Sequence, residues 1–184
     1  MKKTIAIHLA DGFEEIEAIS IIDLLRRAEL DVLMVSVTGK TEVTGAHQIK
    51  VKADILFEDV DYKDIFMIVL PGGMPGASNL DAHQGLRDQI KQFNDQNRPL
   101  AAICAAPMVY GNLGVLKGKQ AVCYPGFEKY LNGADVLDVP VVESANVITG
   151  KGIGAALEFG LKLIEKTVSP EKARAIAKQI LVEQ

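Results

Sequence analysis

Short, continuously apolar runs alternate with amphipathic stretches of helical period along this 184-residue chain. TIAIHLA (4–10), DVLMVSV (31–37), IFMIVLP (65–71) and PLAAIC (99–104) read as strands. The third stops at Pro71, and the fourth ends at a cysteine. FEEIEAISIIDLLRRAE (13–29), residues 83–96, GAALEFGLKLIEKT (154–167) and SPEKARAIAKQILVE (169–183) read as helices. The last has Ser169 as N-cap and Pro170 at its first position, both favoured there. HQIKVKADIL (47–56) alternates with period two and is expected at a sheet edge, as a hairpin or strand. A short helix is expected from 105 to about 112, and QAVCYP (120–125) and VVES…NVITG (141–150) as later strands. Apolar strands separated by helices predict a mostly parallel sheet covered on both faces, an α/β class. No linker or repeat divides the chain, so residues 1–184 are expected to form one domain.

In such a sheet, ligands bind beyond the carboxyl ends of the strands. Three strand ends carry chemistry. After the first comes DGFEEIE. Acids in the first turn of a helix complement its dipole, which accounts for Glu14 and Glu15. It does not account for Glu17, which falls among Phe13, Ile21, Leu24 and Ala28 on the helical wheel. A carboxyl in the apolar arc is expected to keep its proton, because burial raises its pKa. After the third strand comes PGGMPGAS, where Gly72 and Gly73 permit unusual dihedrals and close approach. Successive N–H groups in such a turn can form an oxyanion hole, although Pro-Gly-Gly is also a plain turn signal.

The fourth strand ends in LAAICAAP. Cysteine is a common buried residue, and Cys123, inside an apolar run, reads as that kind. Cys104 instead stands at a strand-to-helix turn with small neighbours, where a nucleophile would be held outward. A helix beginning just after it is expected to lower the thiol's pKa. A fold that gathers these strand ends places Glu17, Gly73 and Cys104 in one cleft. The histidines are His8, His47 and His83, and all precede the cysteine. His8 is expected in the core and His83 at the surface. His47, in a loop, could approach the site.

The charge balance excludes some partners. Net charge is −4 at pH 7 with no concentrated basic run, which argues against nucleic acid. No apolar run approaches a membrane span, and the first residues do not read as a signal peptide. Two cysteines make no disulfide framework, so a reducing cytoplasm is the expected location. No metal and no cofactor is expected.

The motifs ADGFEEIEA (10–18), DLLRRA (23–28), IVLPGGMPGASNL (68–80), AAICAAP (101–107) and GKGIGAALEFGLKLIE (150–165) resemble the ThiJ/PfpI superfamily. The resemblance is to the branch of the human parkinsonism-associated protein and its bacterial relatives. It implies a flavodoxin-like three-layer sandwich, usually a homodimer, with a reactive cysteine at Cys104 in a strained elbow. It implies a glutamic acid at Glu17 hydrogen-bonded to the sulfur, with Gly72 and Gly73 facing it and the Ala105 N–H as a further donor. The implied activities are glutathione-independent conversion of methylglyoxal to lactate, repair of glycated proteins, and peroxide sensing through cysteine oxidation.

Two departures stand out. Tyr124 occupies the place of a histidine found in human-type members. Ala105 stands where peptidase-type members have a histidine, which counts against a cysteine hydrolase. The expectation is therefore an enzyme acting on a small aldehyde or dicarbonyl through Cys104 and Glu17. The alternative is a redox sensor or chaperone without turnover. Tyr124, His47 and Lys151 are expected as substrate contacts, the last two matching basic positions around a surface anion site in the family. Ile19 and Ile22, off the main core face of the first helix, are expected at a dimer interface.

Overall fold

A computed structural model describes residues 3–182 of the chain. Its centre is a seven-stranded sheet. Five strands form its body: β1 (Thr4–Leu9), β2 (Asp31–Ser36), β6 (Ile65–Leu70), β7 (Leu100–Ile103) and β11 (Val147–Gly150). β5 (Ile55–Leu56) and β10 (Val141–Ser144) form its edges, giving the order β10-β11-β7-β6-β1-β2-β5. Every pairing is parallel except β10 with β11. β7 is buried throughout and β1 and β6 nearly so. A strand buried on both faces needs cover on both, which explains their unbroken apolar sequences.

The helices supply that cover in two groups. α1 (Glu15–Arg27) packs on α5 (Ala156–Thr167), and α5 on α6 (Pro170–Gln179). α2 (Gly76–Ala82) packs on α3 (Gln84–Asp95) and α4 (Pro107–Asn112). The expected mostly parallel sandwich is the fold found. The connection from β1 leads through α1 to β2, and that from β6 through α2 and α3 to β7, on the opposite side. Connections diverging from adjacent strands open a crevice at their carboxyl ends.

Several elements differ from expectation. α1 starts at Glu15 because Phe13 and Glu14 are held in a turn, their N–H groups donating to Ala10 O and Gly72 O. The 47–56 stretch divides. β4 (Lys50–Lys52) makes a hairpin with β3 (Glu42–Thr44), and β5 alone joins the main sheet. The expected strand at 120–125 is only β8 (Gln120–Ala121), paired with β9 (Asp135–Val136) outside the main sheet, and a turn follows Cys123. The Ser169 hydroxyl caps α6 by accepting the Lys172 N–H at 3.2 Å, as its sequence predicts. That helix ends earlier than expected, and residue 183 lies outside those described.

His8 is fully buried in β1, 2.7 Å from the Tyr62 hydroxyl, and burial lowers its pKa to about 3. His83 caps α3, its Nδ1 accepting the Leu86 N–H at 3.0 Å. Ile19 is exposed, whereas Ile22 packs inside the chain, so the proposed interface role does not extend to Ile22. Among the described residues, no helix is long and apolar enough to cross a membrane.

Candidate active site

The carboxyl ends of β1, β6 and β7 meet, and each contributes one part of a site. Cys104 follows β7 directly and has φ +64°, a left-handed conformation costly for a side chain bearing a Cβ. Two hydrogen bonds hold it there. The Cys104 N–H donates to Gly150 O at 2.9 Å, and the Tyr124 N–H donates to Cys104 O at 2.8 Å. The expected strained elbow is therefore present, with the residue 9% exposed.

Gly72 lies between that cysteine and Glu17. Its N–H donates to Glu17 Oε2 at 2.9 Å. A Cβ built on Gly72 would fall 2.5 Å from Cys104 Cβ and 2.7 Å from Glu17 Oε2. No side chain fits there, and the absence of one lets the acid and the thiol approach. Gly73 has φ +91°, and a Cβ on it would come within 2.3 Å of the Glu14 nitrogen. The 72–76 loop is thus pressed against the turn at Asp11 to Glu14. Gly12 (φ +87°) completes the fit, since a Cβ there would meet the Pro75 ring at 2.5 Å.

The electrostatics follow from this packing. Glu17 is fully buried, and burial raises its pKa from 4.5 to about 7 against the opposing effects of its hydrogen bonds with Cys104 and Gly72. Oε1 is buried with no N–H or O–H partner among the described residues. The Cys104 thiol does not follow the expected helix effect. Burial, then the Glu17 charge and hydrogen bond, push it up to about 12, against the N–H groups of Gly73 and Ala105. The reason is structural: α4 begins only at Pro107 and has six residues, while the thiol is enclosed beside an acid. The two Glu17 contributions depend on its charge, so the groups titrate as a pair. A negative charge on the sulfur faces two backbone N–H groups and some solvent. A charge on Glu17 faces one N–H and none. A thiolate on Cys104 is therefore best supported while Glu17 keeps its proton, since the Glu17 charge raises the thiol.

The remaining expected residues divide. Ala105 supplies its N–H to the sulfur. Tyr124 is linked to the elbow through its backbone, and its half-exposed ring lies beside Gly152. His47 is bonded to Glu15 instead, with Nδ1 2.9 Å from Oε2. Lys151 pairs with Asp138 at 2.5 Å and lines a pocket of about 320 Å³ with Cys123. Cys123 is buried, and burial lifts its thiol to about 11. Sequence reasoning missed the Asp11–Gly12 turn as a support. It also treated Glu14 and Glu15 as ordinary helix-start acids, although both are buried.

Over residues 3–166 the sequence matches the DJ-1/PfpI family. The chain belongs to that family. Protein DJ-1 homolog B of Arabidopsis thaliana is 36% identical over 179 residues, 97% of this chain and 41% of that relative. The chain thus spans about two fifths of that plant protein's length. The glutathione-independent glyoxalase DJR-1.2 of Caenorhabditis elegans is 34% identical over 168 residues, 91% of this chain and 89% of its own. A Bacillus subtilis relative, provisionally named as a cysteine protease, is 35% identical and covers 82% of this chain and 90% of its own. The solved structure of oxidized Toxoplasma gondii DJ-1 superposes with TM-score 0.95 at 37% identity, covering 99% of this chain and 100% of that one.

Gly72→Ala should therefore cost roughly 1–3 kcal/mol of stability and speed Cys104 alkylation above pH 7, since overpacking must part the thiol from the charge that raises it. Denaturant unfolding and iodoacetamide kinetics measure both; unchanged alkylation would mean that the contact does not set reactivity. Glu17 also predicts a pH dependence. Between pH 4.5 and about 7 the folded chain holds a proton the unfolded chain has lost, so stability falls as pH rises through that window. Relative to Glu17→Gln, wild type should lose of the order of 3 kcal/mol from the bottom to the top of that range. Paired denaturant melts at its two ends test this, and an unchanged difference refutes the buried proton.

Proposed function

We propose that this DJ-1/PfpI member converts small dicarbonyls such as methylglyoxal to hydroxy acids without glutathione. The observation that carries this reading is the buried Glu17 carboxyl meeting Cys104 across Gly72. The Cys104 thiolate adds to the aldehyde carbon, forming a C–S bond and an alkoxide. The N–H groups of Gly73 and Ala105 face the sulfur and are placed to stabilise that charge. Glu17 protonates the oxygen that needs it and then moves the proton from the aldehyde carbon to the adjacent carbonyl carbon. A carboxyl with a pKa near 7 suits both directions of transfer. The product is a thioester of the hydroxy acid. Water hydrolyses it, breaking the C–S bond and returning the thiol, so the net change is addition of one water. The named activity of the nematode relative supports the substrate class.

Purified protein incubated with methylglyoxal should form lactate, Cys104→Ala should form none, and Glu17→Gln should be slower by about 100-fold or more. Lactate formation by the Cys104→Ala protein at the wild-type rate, or by neither protein, refutes the reading.

A second reading, peroxide sensing at the same thiol, draws on the oxidized structural neighbour and on the proton Glu17 can donate to an oxidised sulfur. Attack on peroxide places one oxygen on sulfur and releases water; a second peroxide gives the sulfinate. Intact-mass and peptide mass spectrometry after mild peroxide should place both oxygens on Cys104. Oxidation of Cys123 first, or of neither, counts against it. A hydrolase would need a base beside the thiol. His47 is bonded to Glu15, His8 to Tyr62, and His83 caps α3.

A further inference from the structure

Glu14 and Glu15 form a second buried acidic pair, which the chemistry above does not use. They are 6% and 4% exposed. Adjacent buried carboxylates are costly unless each is paired or coordinates a cation. Glu15 is fully answered. Its Oε1 accepts the N–H groups of His47 at 2.7 Å and Ile49 at 3.4 Å, and its Oε2 lies 2.9 Å from His47 Nδ1. Glu14 is not. Its Oε2 is 3.7 Å from the same His47 Nδ1, beyond hydrogen-bond length, and its Oε1 is buried with no partner among the described residues. Two carboxylates thus converge on one imidazole nitrogen, and one of them has an open oxygen.

We propose that Glu14, Glu15 and His47 form a site for a borderline divalent metal ion, with zinc as the reference case. One ligand atom from each lies within 4.8 Å of the others. A tetrahedral ion bound at about 2.0–2.1 Å sets its ligands roughly 3.3 Å apart. The separations of 2.9 and 3.7 Å from His47 Nδ1 bracket that spacing. One imidazole with two carboxylates suits zinc, manganese or iron(II); calcium and magnesium prefer all-oxygen sets, and copper(I) wants sulfur. The ion displaces the proton held between His47 Nδ1 and Glu15, and it supplies the charge that Glu14 lacks.

The ligands are held in place beforehand. The Glu14 N–H donates to Gly72 O at 2.9 Å, and the Ala46 N–H, next to His47, donates to Phe13 O at 2.8 Å. Gly45 lies so close to Glu15 that a Cβ there would come within 2.2 Å of Oε1. The β3–β4 turn is therefore fixed against the start of α1. The exposed ring of His47 leaves the metal an entry path and an open position for water.

Zinc chloride titrated calorimetrically into the full chain tests this, with Cys104→Ala as the background that removes a competing thiol. Binding of one zinc per chain is expected in wild type and undiminished in Cys104→Ala. Glu14→Gln and His47→Ala should each weaken it at least ~10-fold. Cobalt(II) should give the visible absorption of a four-coordinate ion in the same proteins. Thermal melts check that both variants fold; His47 is exposed and Glu14→Gln keeps its shape, so either suffices. Absence of zinc binding up to millimolar concentration overturns the proposal. So does equal affinity in folded Glu14→Gln and His47→Ala proteins, or loss of binding in Cys104→Ala.

Discussion

A missing side chain organises this molecule. Gly72 occupies the space between a carboxyl from the first helix and a thiol from the fourth central strand, and nothing larger fits. Its N–H takes one carboxylate oxygen and its carbonyl takes the Glu14 N–H, so one residue binds the loop after β6 to the turn after β1. The sheet order puts those strand ends side by side; the glycine sets how close their groups come. Close-packed interiors do not yield by half an ångström without cost, so the contact behaves as a fixed distance.

That distance makes the acid and the thiol one titrating unit. Burial alone would keep both neutral, and a carboxylate alone would suppress the thiolate. Together they share one readily lost proton, and the surroundings decide where the remaining charge sits. Gly73 and Ala105 direct N–H groups at the sulfur, and the sulfur side is the side that reaches solvent. The proposed addition to a carbonyl and the proposed oxidation by peroxide draw on the same arrangement. Both begin with a thiolate and both need a nearby proton donor.

Much of this was legible in the chain. The unbroken apolar runs showed strands buried on both faces, and the misplaced acid at Glu17 showed where the helix met the site. Cys104 was readable because it ended a strand, and Gly72 and Gly73 because they followed one. The acidity of the thiol was not readable, because it depends on enclosure and on a neighbour some ninety positions away. α2 was missed because seven residues opening with Gly76 show no helical period. The strand at 120–125 was overextended because an apolar run does not reveal that its partner strand is short. Glu14 and Glu15 looked ordinary because their burial comes from a hairpin turn, at Gly45 to His47, that folds over them.

The elbow has both its amide groups engaged, the N–H by Gly150 and the carbonyl by Tyr124. A backbone anchored on two sides has little compliance. With the backbone held, any bulk added to the sulfur would have to be taken up by rotation about the Cα–Cβ bond. Any chemistry at this sulfur would be a matter of swinging one side chain within a rigid mount.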